Sequence, residues 1–391
     1  MIFLYTVFAL ALLMLLAAGI FEQRRHLSSL YSIPTRVLVN GIRGKSSITR
    51  LCAGALRGGG LRVVAKTTGT AARFIWPDGT EAPVYRKFEA ANVVEQIGIV
   101  RRAAAERPDA LVMECMAVQP SLQEVNQSKL ICSTIGVLCN VREDHLEEMG
   151  PTLDDVARSL SRSMPRGGVC ITAESERYAI LQEEAARRRC RLVYADPELV
   201  SDWEMERFGF FTFKENVAIA LAVAGELGVP RGEALQGMWE ATPDPGVLTV
   251  EHYRLGAKSL CLANLFAAND PNSTVMSFDG LLERNQIRPP IFTLINCRPD
   301  RIERNRQMGA IVARLCTERL FVIGEPSRSA TLATSDFAGE ITDLGGPDRD
   351  PEEIIESIIA AIEEEASLVA IGNIHGQGER VIEALEEHRS R

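Results

Sequence analysis

The first 21 residues, Met1 to Phe21, form an apolar run without a single charge. A helix of that length rises about 30 Å, the thickness of a bilayer's hydrocarbon core. Charge begins at Glu22-Gln23-Arg24-Arg25-His26, and a basic flank on this side orients a spanning helix with its N-terminus outside and the rest in the cytoplasm. A cleaved signal peptide carries its basic residues ahead of the apolar core, the reverse of the order here. A core helix of a soluble domain keeps a polar face, which this run lacks. The pattern predicts a transmembrane anchor over residues 1–21 and a juxtamembrane linker over 22–34.

Beyond the linker, short β-branched apolar runs alternate with helix-compatible stretches. Strands are predicted over 36–40, 62–65, 110–114, 134–140, 169–172 and 191–194, and helices over 45–57, 92–105, 153–164, 214–227 and 231–240. Such alternation implies a mostly parallel sheet covered on both faces. Thr242-Pro243-Asp244-Pro245-Gly246 then breaks the periodicity as a domain linker does. A second α/β set follows, with strands over 291–295, 320–323 and 368–371 and helices over 302–316, 351–366 and 379–388. The expected architecture is therefore α/β: an anchor, a central domain over 35–241, and a smaller Rossmann-like domain over 242–391.

Composition narrows the function. At 391 residues with a net charge of −9, the chain lacks the basic excess of a general nucleic-acid binder. Its nine cysteines, with no Cys-x-x-Cys pair, read as small buried hydrophobes in a reducing compartment. Basic residues are mostly arginine; lysine occurs only at 45, 66, 87, 129, 214 and 258.

One of those lysines stands in Asn40-Gly41-Ile42-Arg43-Gly44-Lys45-Ser46-Ser47, between a strand and a helix. Glycines there let backbone N–H groups turn around phosphate oxygens, the lysine reaches the β- and γ-phosphates, and the hydroxyl meets Mg²⁺. The common G-x-x-x-x-G-K-[ST] spacing fails, because Val39 stands at its first glycine; the shorter G-x-x-G-K-S is present. Alone, the loop indicates a nucleoside triphosphate and leaves GTPases, ATPases, kinases and ligases open. Glu114 and the segment Asn140-Val141-Arg142-Glu143-Asp144-His145 add acid and imidazole groups at further strand ends, the edge at which parallel α/β sheets bind ligands.

These residues resemble the Mur ligase superfamily of ATP-dependent amide ligases. Gly41, Gly44, Lys45 and Ser46 match its short phosphate loop, Glu114 its Mg²⁺ glutamate, and Asn140, Asp144 and His145 its Asn-x-x-x-Asp-His segment. Asn216 matches the asparagine that faces adenine. More narrowly, the chain is similar to the poly-γ-glutamate synthase ligases. Blocks shared in order include Lys66-Thr67-Thr68-Gly69-Thr70, Glu114-Cys115-Met116-Ala117-Val118, Met149-Gly150-Pro151-Thr152, Phe266-Ala267-Ala268-Asn269-Asp270, Asn296-Cys297-Arg298 and Gly372-Asn373-Ile374-His375-Gly376. The chain departs from the broader superfamily in four places, the first being Ile219, where a second asparagine usually follows Asn216. No lysine lies between His145 and Lys214 to serve as the carbamylated metal ligand, Val247-Leu248 replaces the linker arginine, and Ala268 replaces a histidine.

The resemblance implies ATP and Mg²⁺ as cofactors, with Lys45, Glu114 and His145 catalytic and Ser46, Glu114 and His145 on metal. It implies nucleotide contacts from residues 40–47, Asn216 and Arg298. It also implies glutamate and poly-γ-glutamate as substrates, held by Lys66, Thr67, Thr68, Arg73, Asn269, Arg301 and His375. Asp144 is expected to orient His145. Arg62, Lys66 and Arg73 form one candidate cationic patch, and Arg298, Arg301, Arg304 and Arg306 another. Membrane partner subunits and a homo-oligomer are expected, with no nucleic acid. The rival readings are another amide ligase of the superfamily, a membrane-tethered P-loop ATPase or GTPase serving an export assembly, and an assembly subunit with a structural nucleotide site.

Overall fold

The structure, a computed structural model, describes residues 2–68, 72–84, 92–244, 248–266, 268, 270–346 and 348–389. The chain divides into two compact units, Met1–Pro245 and Gly246–Arg391. Asn269, and with it Gly69, Thr70, Pro245, Gly246, Val247 and Ala267, lies outside the described residues.

The first unit opens with α1 (Ile2–Tyr31), one unbroken helix of 30 residues. It is long and apolar enough to cross a membrane, and its apolar window is exposed throughout. Its last turns behave differently. Glu22 pairs with Arg101 of α3 (Glu95–Ala105). The His26 imidazole donates from Nε2 to the Leu130 carbonyl at 3.0 Å. Leu30 and Ile33 join a buried cluster with Leu38, Val64, Ile99 and Leu111. The expected linker over 22–34 is thus replaced by helix as far as Tyr31. The reason is legible afterwards: Leu27 and Leu30, three residues apart, continue an apolar stripe through the charged flank, and Ile33 extends the buried cluster just past the helix end.

Among the described residues of this unit, eight strands form one mixed sheet: β1 (Thr35–Asn40), β2 (Val63–Lys66), β3 (Arg73–Ile75), β4 (Glu81–Pro83), β5 (Ala110–Glu114), β6 (Ile135–Leu138), β7 (Val169–Thr172) and β8 (Arg191–Tyr194). Their order is β4-β3-β2-β5-β1-β6-β7-β8. The β2–β3 and β3–β4 pairings are antiparallel; the other pairings are parallel. The central strands are buried on both faces, hence their continuous apolar runs. Val37, Val39, Val63 and Val112 face α2 (Lys45–Gly58) and the helix Lys214–Glu226. Leu38, Val64, Leu111 and Met113 face α3 and the end of α1. The adjacent order β2-β5-β1-β6 brings four carboxyl ends side by side, and these ends carry the sequence motifs.

The second unit holds a six-stranded sheet among its described residues: β9 (Thr249–Leu255), β10 (Lys258–Asn264), β11 (Ile291–Cys297), β12 (Arg319–Gly324), β13 (Glu340–Asp343) and β14 (Glu365–Gly372). The order is β13-β12-β11-β14-β10-β9, with β9 antiparallel to β10 and the rest parallel. Its core joins Leu262, Leu294, Phe321 and Leu368 with Ile354, Ile355 and Ile358 of the helix Pro351–Ala361.

Candidate active site

β1 ends at Asn40, and α2 begins at Lys45. The turn between them needs glycine twice. Gly41 has φ +141° and lies against the Cys139 backbone, where a Cβ would come within 2.8 Å of Cys139 Cβ. Gly44, at the N-cap of α2, has φ +76° and supplies no capping side chain. The first N–H groups of α2 are thereby left to an anion, reinforced by the helix dipole. Ile42 anchors the turn by packing with Val141 and Met149. Lys45 Nζ folds over the loop and donates to the carbonyls of Gly41 (2.8 Å) and Ile42 (3.1 Å). Ser47 stands half-buried in the first turn of α2.

Ser46 Oγ donates to Glu114 Oε2 at 2.7 Å, and the Thr68 amide donates to the same oxygen at 2.7 Å. Glu114, only 3% exposed, sits beside Val39 across the β1–β5 ladder. Two hard oxygen donors beside a phosphate loop suit Mg²⁺, which takes one or two protein ligands and completes its shell with phosphate and water. Among the described residues no group of three or more His, Cys, Asp and Glu converges as a metal site. Glu114, Lys45, Gly41, Thr68, Met116 and His145 line one cavity of about 300 Å³.

The Asn-x-x-x-Asp-His segment has a geometry the motif did not foretell. Asn140 Oδ1 accepts from the Arg43 amide (3.0 Å), and its Nδ2 donates to the Arg43 carbonyl (3.1 Å), so one side chain clamps the loop backbone. Asp144 pairs with Arg43 at 3.1 Å. It stands 3.7 Å from His145 Nε2, too far for a hydrogen bond, so the expected orientation of His145 by Asp144 is not made. His145 has φ +52° and a half-exposed ring. Glu174 is a buried carboxylate that sequence reasoning passed over. It accepts from the Val141 amide at 2.9 Å and fixes the start of this segment. Its signal was available, an acid just past a strand end.

Other predicted residues fall in varied places. Asn40 lines the cavity, but its carboxamide nitrogen is spent in the interior, donating to Gln123 (2.8 Å) and Ser163 (3.0 Å). Asn216 lies in the first turn of its helix and abuts Gly44, with Oδ1 3.5 Å from where a Cβ would stand. Lys66 is fully buried and paired with Glu95 at 2.7 Å. Thr67 accepts from the Arg73 amide, and Arg62 pairs with Glu106. The candidate patch of Arg62, Lys66 and Arg73 is therefore no open cationic surface: two of its three charges are committed.

In the second unit Arg298 grips Asp300 with both arms (2.9 and 3.0 Å), and Arg301 approaches the same carboxylate at 3.7 Å. Arg304 donates to Asn373 and Arg306 pairs with Glu303. His375 meets Glu379 at 2.7 Å. Asn296 and Asn373 interlock at the carboxyl ends of β11 and β14, with Asn296 Nδ2 donating to the carbonyls of Asn373 (2.5 Å) and His375 (3.0 Å).

Comparison with known proteins places this geometry. Residues 39–227 match the Mur ligase middle domain, and residues 250–388 match the C-terminal domain of poly-gamma-glutamate synthase CapB. The capsule biosynthesis protein CapB of Bacillus anthracis is 36% identical over 96% of this chain and 81% of its own length. PGA synthase CapB of Bacillus subtilis is 34% identical over 97% of each chain. Among solved structures, Escherichia coli FolC with ADP shares the fold at a TM-score of 0.68 and 15% identity, covering 94% of this chain and 93% of that one. MurF of Acinetobacter baumannii shares it at 0.65 and 14%, covering 96% and 80%. The chain belongs to the CapB family of poly-γ-glutamate synthases, within the Mur ligases.

Proposed function

We propose that the protein is an ATP-dependent ligase that joins glutamate through its amine to a γ-carboxylate, building poly-γ-glutamate. The observation that carries this reading is the Ser46–Glu114 pair beneath the Lys45 loop, in a chain more than one-third identical to a named CapB protein. A carboxylate is inert toward an amine because its oxygen leaves poorly. The γ-carboxylate at a chain end attacks the γ-phosphorus of ATP, ADP departs, and an acyl phosphate results. The glutamate amine attacks the acyl carbon, the C–O bond to phosphate breaks, and the amine proton passes to phosphate or solvent. The protein positions groups and stabilises charge.

Lys45 swings from its loop carbonyls to the β/γ-phosphate oxygens, and the N–H groups of Gly44 to Ser46 surround them. Ser46 and Glu114 would hold Mg²⁺, which would supply neutralising charge to the phosphates. His145 faces the same cavity and meets metal or acyl phosphate. Asn216 contacts the adenine. Arg298 is a further nucleotide contact. Thr67, Thr68, Arg73, Asn269, Arg301 and His375 contact the polyanion, with Lys66 supporting them through Glu95. The ATP-binding domain spans 35–241 and a Rossmann-like domain spans 242–391. Residues 1–21 anchor the ligase in the membrane, its catalytic units in the cytoplasm. A single span cannot export a polymer, so further membrane subunits complete the machine.

The test is glutamate-dependent release of ADP by the full chain in membranes, with γ-linked product followed alongside and Lys45→Ala as control. Polymer and ADP that both require glutamate and Lys45 support the ligase. Hydrolysis indifferent to glutamate supports a tethered ATPase instead.

A further inference from the structure

α2 starts at the phosphate-binding Lys45 and carries Arg50 within its second turn. The Arg50 side chain is only 3% exposed and spans three partners. Its two terminal nitrogens meet the Glu81 carboxylate of β4, one at 2.9 Å. Nη1 also donates to the Thr242 carbonyl at 3.2 Å, and Nε reaches Asp244 Oδ1 at 3.4 Å. Thr242 to Asp244 are the last described residues before the chain passes into its second unit. They follow the helix Arg231–Trp239, which is packed against α2 backbone to backbone: a Cβ on Gly54, Gly58 or Gly237 would overlap the facing main chain. The phosphate loop, α2 and the exit segment are therefore joined through a rigid pair of helices and one guanidinium.

Burial raises the Asp244 carboxyl above the ordinary range; the Arg50 charge opposes this and the Glu114 charge adds to it. Asp244 thus lies within the electrostatic reach of the carboxylate that receives the metal. We propose that Arg50 is a positioning residue that ties residues 242–244 to the phosphate-loop helix, so that nucleotide loading at Lys45 and Ser46 orders the exit of the chain from the first unit. Glu81 alone would satisfy a purely structural arginine. The two remaining bonds are directed at the exit segment, and lysine, with one point charge, cannot make the same span. Neutralising the Glu114 charge would ease the repulsion on Asp244 and favour its pairing with Arg50.

The inference rests on the nucleotide reading of the loop, and the experiment separates the two. Hydrogen exchange across residues 240–244 is measured on the full chain in detergent, with and without Mg·AMPPNP, beside the AMPPNP dissociation constant and turnover. In the wild type, nucleotide is expected to slow exchange there about fivefold or more. Asp244→Asn is expected to abolish that slowing and cut kcat about tenfold, with AMPPNP affinity and the KM for ATP within about twofold. Arg50→Lys recovers less than half of the slowing. Glu81→Gln lowers the melting temperature but keeps the slowing. Wild-type binding without slowing, or an Asp244→Asn enzyme that slows and turns over like wild type, overturns this inference alone. Absence of AMPPNP binding by the wild type overturns it together with the functional reading.

Discussion

Glu114 and Asn140 show how a residue's worth depends on what it touches. Glu114 is buried with one oxygen shared by Ser46 and the Thr68 amide, so it cannot be replaced by an isosteric amide without losing the charge that suits Mg²⁺. Glu114→Gln is expected to reduce ligation by about 10²-fold or more, with the melting temperature little changed. Activity and differential scanning fluorimetry on the same preparation check both halves. Asn140→Ala removes two hydrogen bonds to the Arg43 backbone. At about 1 kcal/mol each, this weakens AMPPNP binding by roughly 30-fold, measured by titration calorimetry. The sequence exposed these residue types and their strand-end positions. It did not expose that Asn140 grips the loop, or that Lys66 is spent on Glu95, because partners supplied by distant segments leave no local pattern.

The elements most visible beforehand were those with long apolar runs. β5, β7 and β8 lie where the pattern put them, and β11 and β14 are longer than expected. β3 and β4 are three residues each and too short to show a period. β9 and β13 are edge strands with mixed polar faces, which blunts the apolar signal. Capping is local and can be tested alone. Ser201 and Glu204 form a capping box on the helix Asp202–Glu206, and Arg231 grips Glu204 from another helix. The hydrogen bond from Arg231 holds the Glu204 carboxyl down to about 2, against an ordinary 4.5. A depressed acid stabilises the fold above its unfolded value, and that stability disappears as pH falls through the folded one. Glu204→Gln should therefore melt below wild type at pH 7, with the gap closing between about pH 4.5 and pH 2, as thermal scans across pH will show.

At the scale of the whole molecule, α1 belongs to two environments. Phe3 to Phe21 is almost wholly exposed, whereas His26 and Leu30 are built into the first unit's core. Removing residues 2–21 should leave the melting temperature of the remainder within about 2 °C. Removing residues 2–31 strips the cover from α3 and should lower it by several degrees or more, since burying a leucine is worth about 2 kcal/mol.

Synthesis by this chain depends on activation of a γ-carboxylate by phosphorylation at the Lys45–Ser46–Glu114 site. A direct measurement supplies a γ-glutamyl oligomer and free glutamate whose γ-carboxylates carry ¹⁸O at both oxygens, with ATP and Mg²⁺, and analyses the phosphate released. Passage through an acyl phosphate transfers one labelled oxygen to each phosphate formed per bond made. Phosphate released without label, while ADP accumulates, would contradict the account.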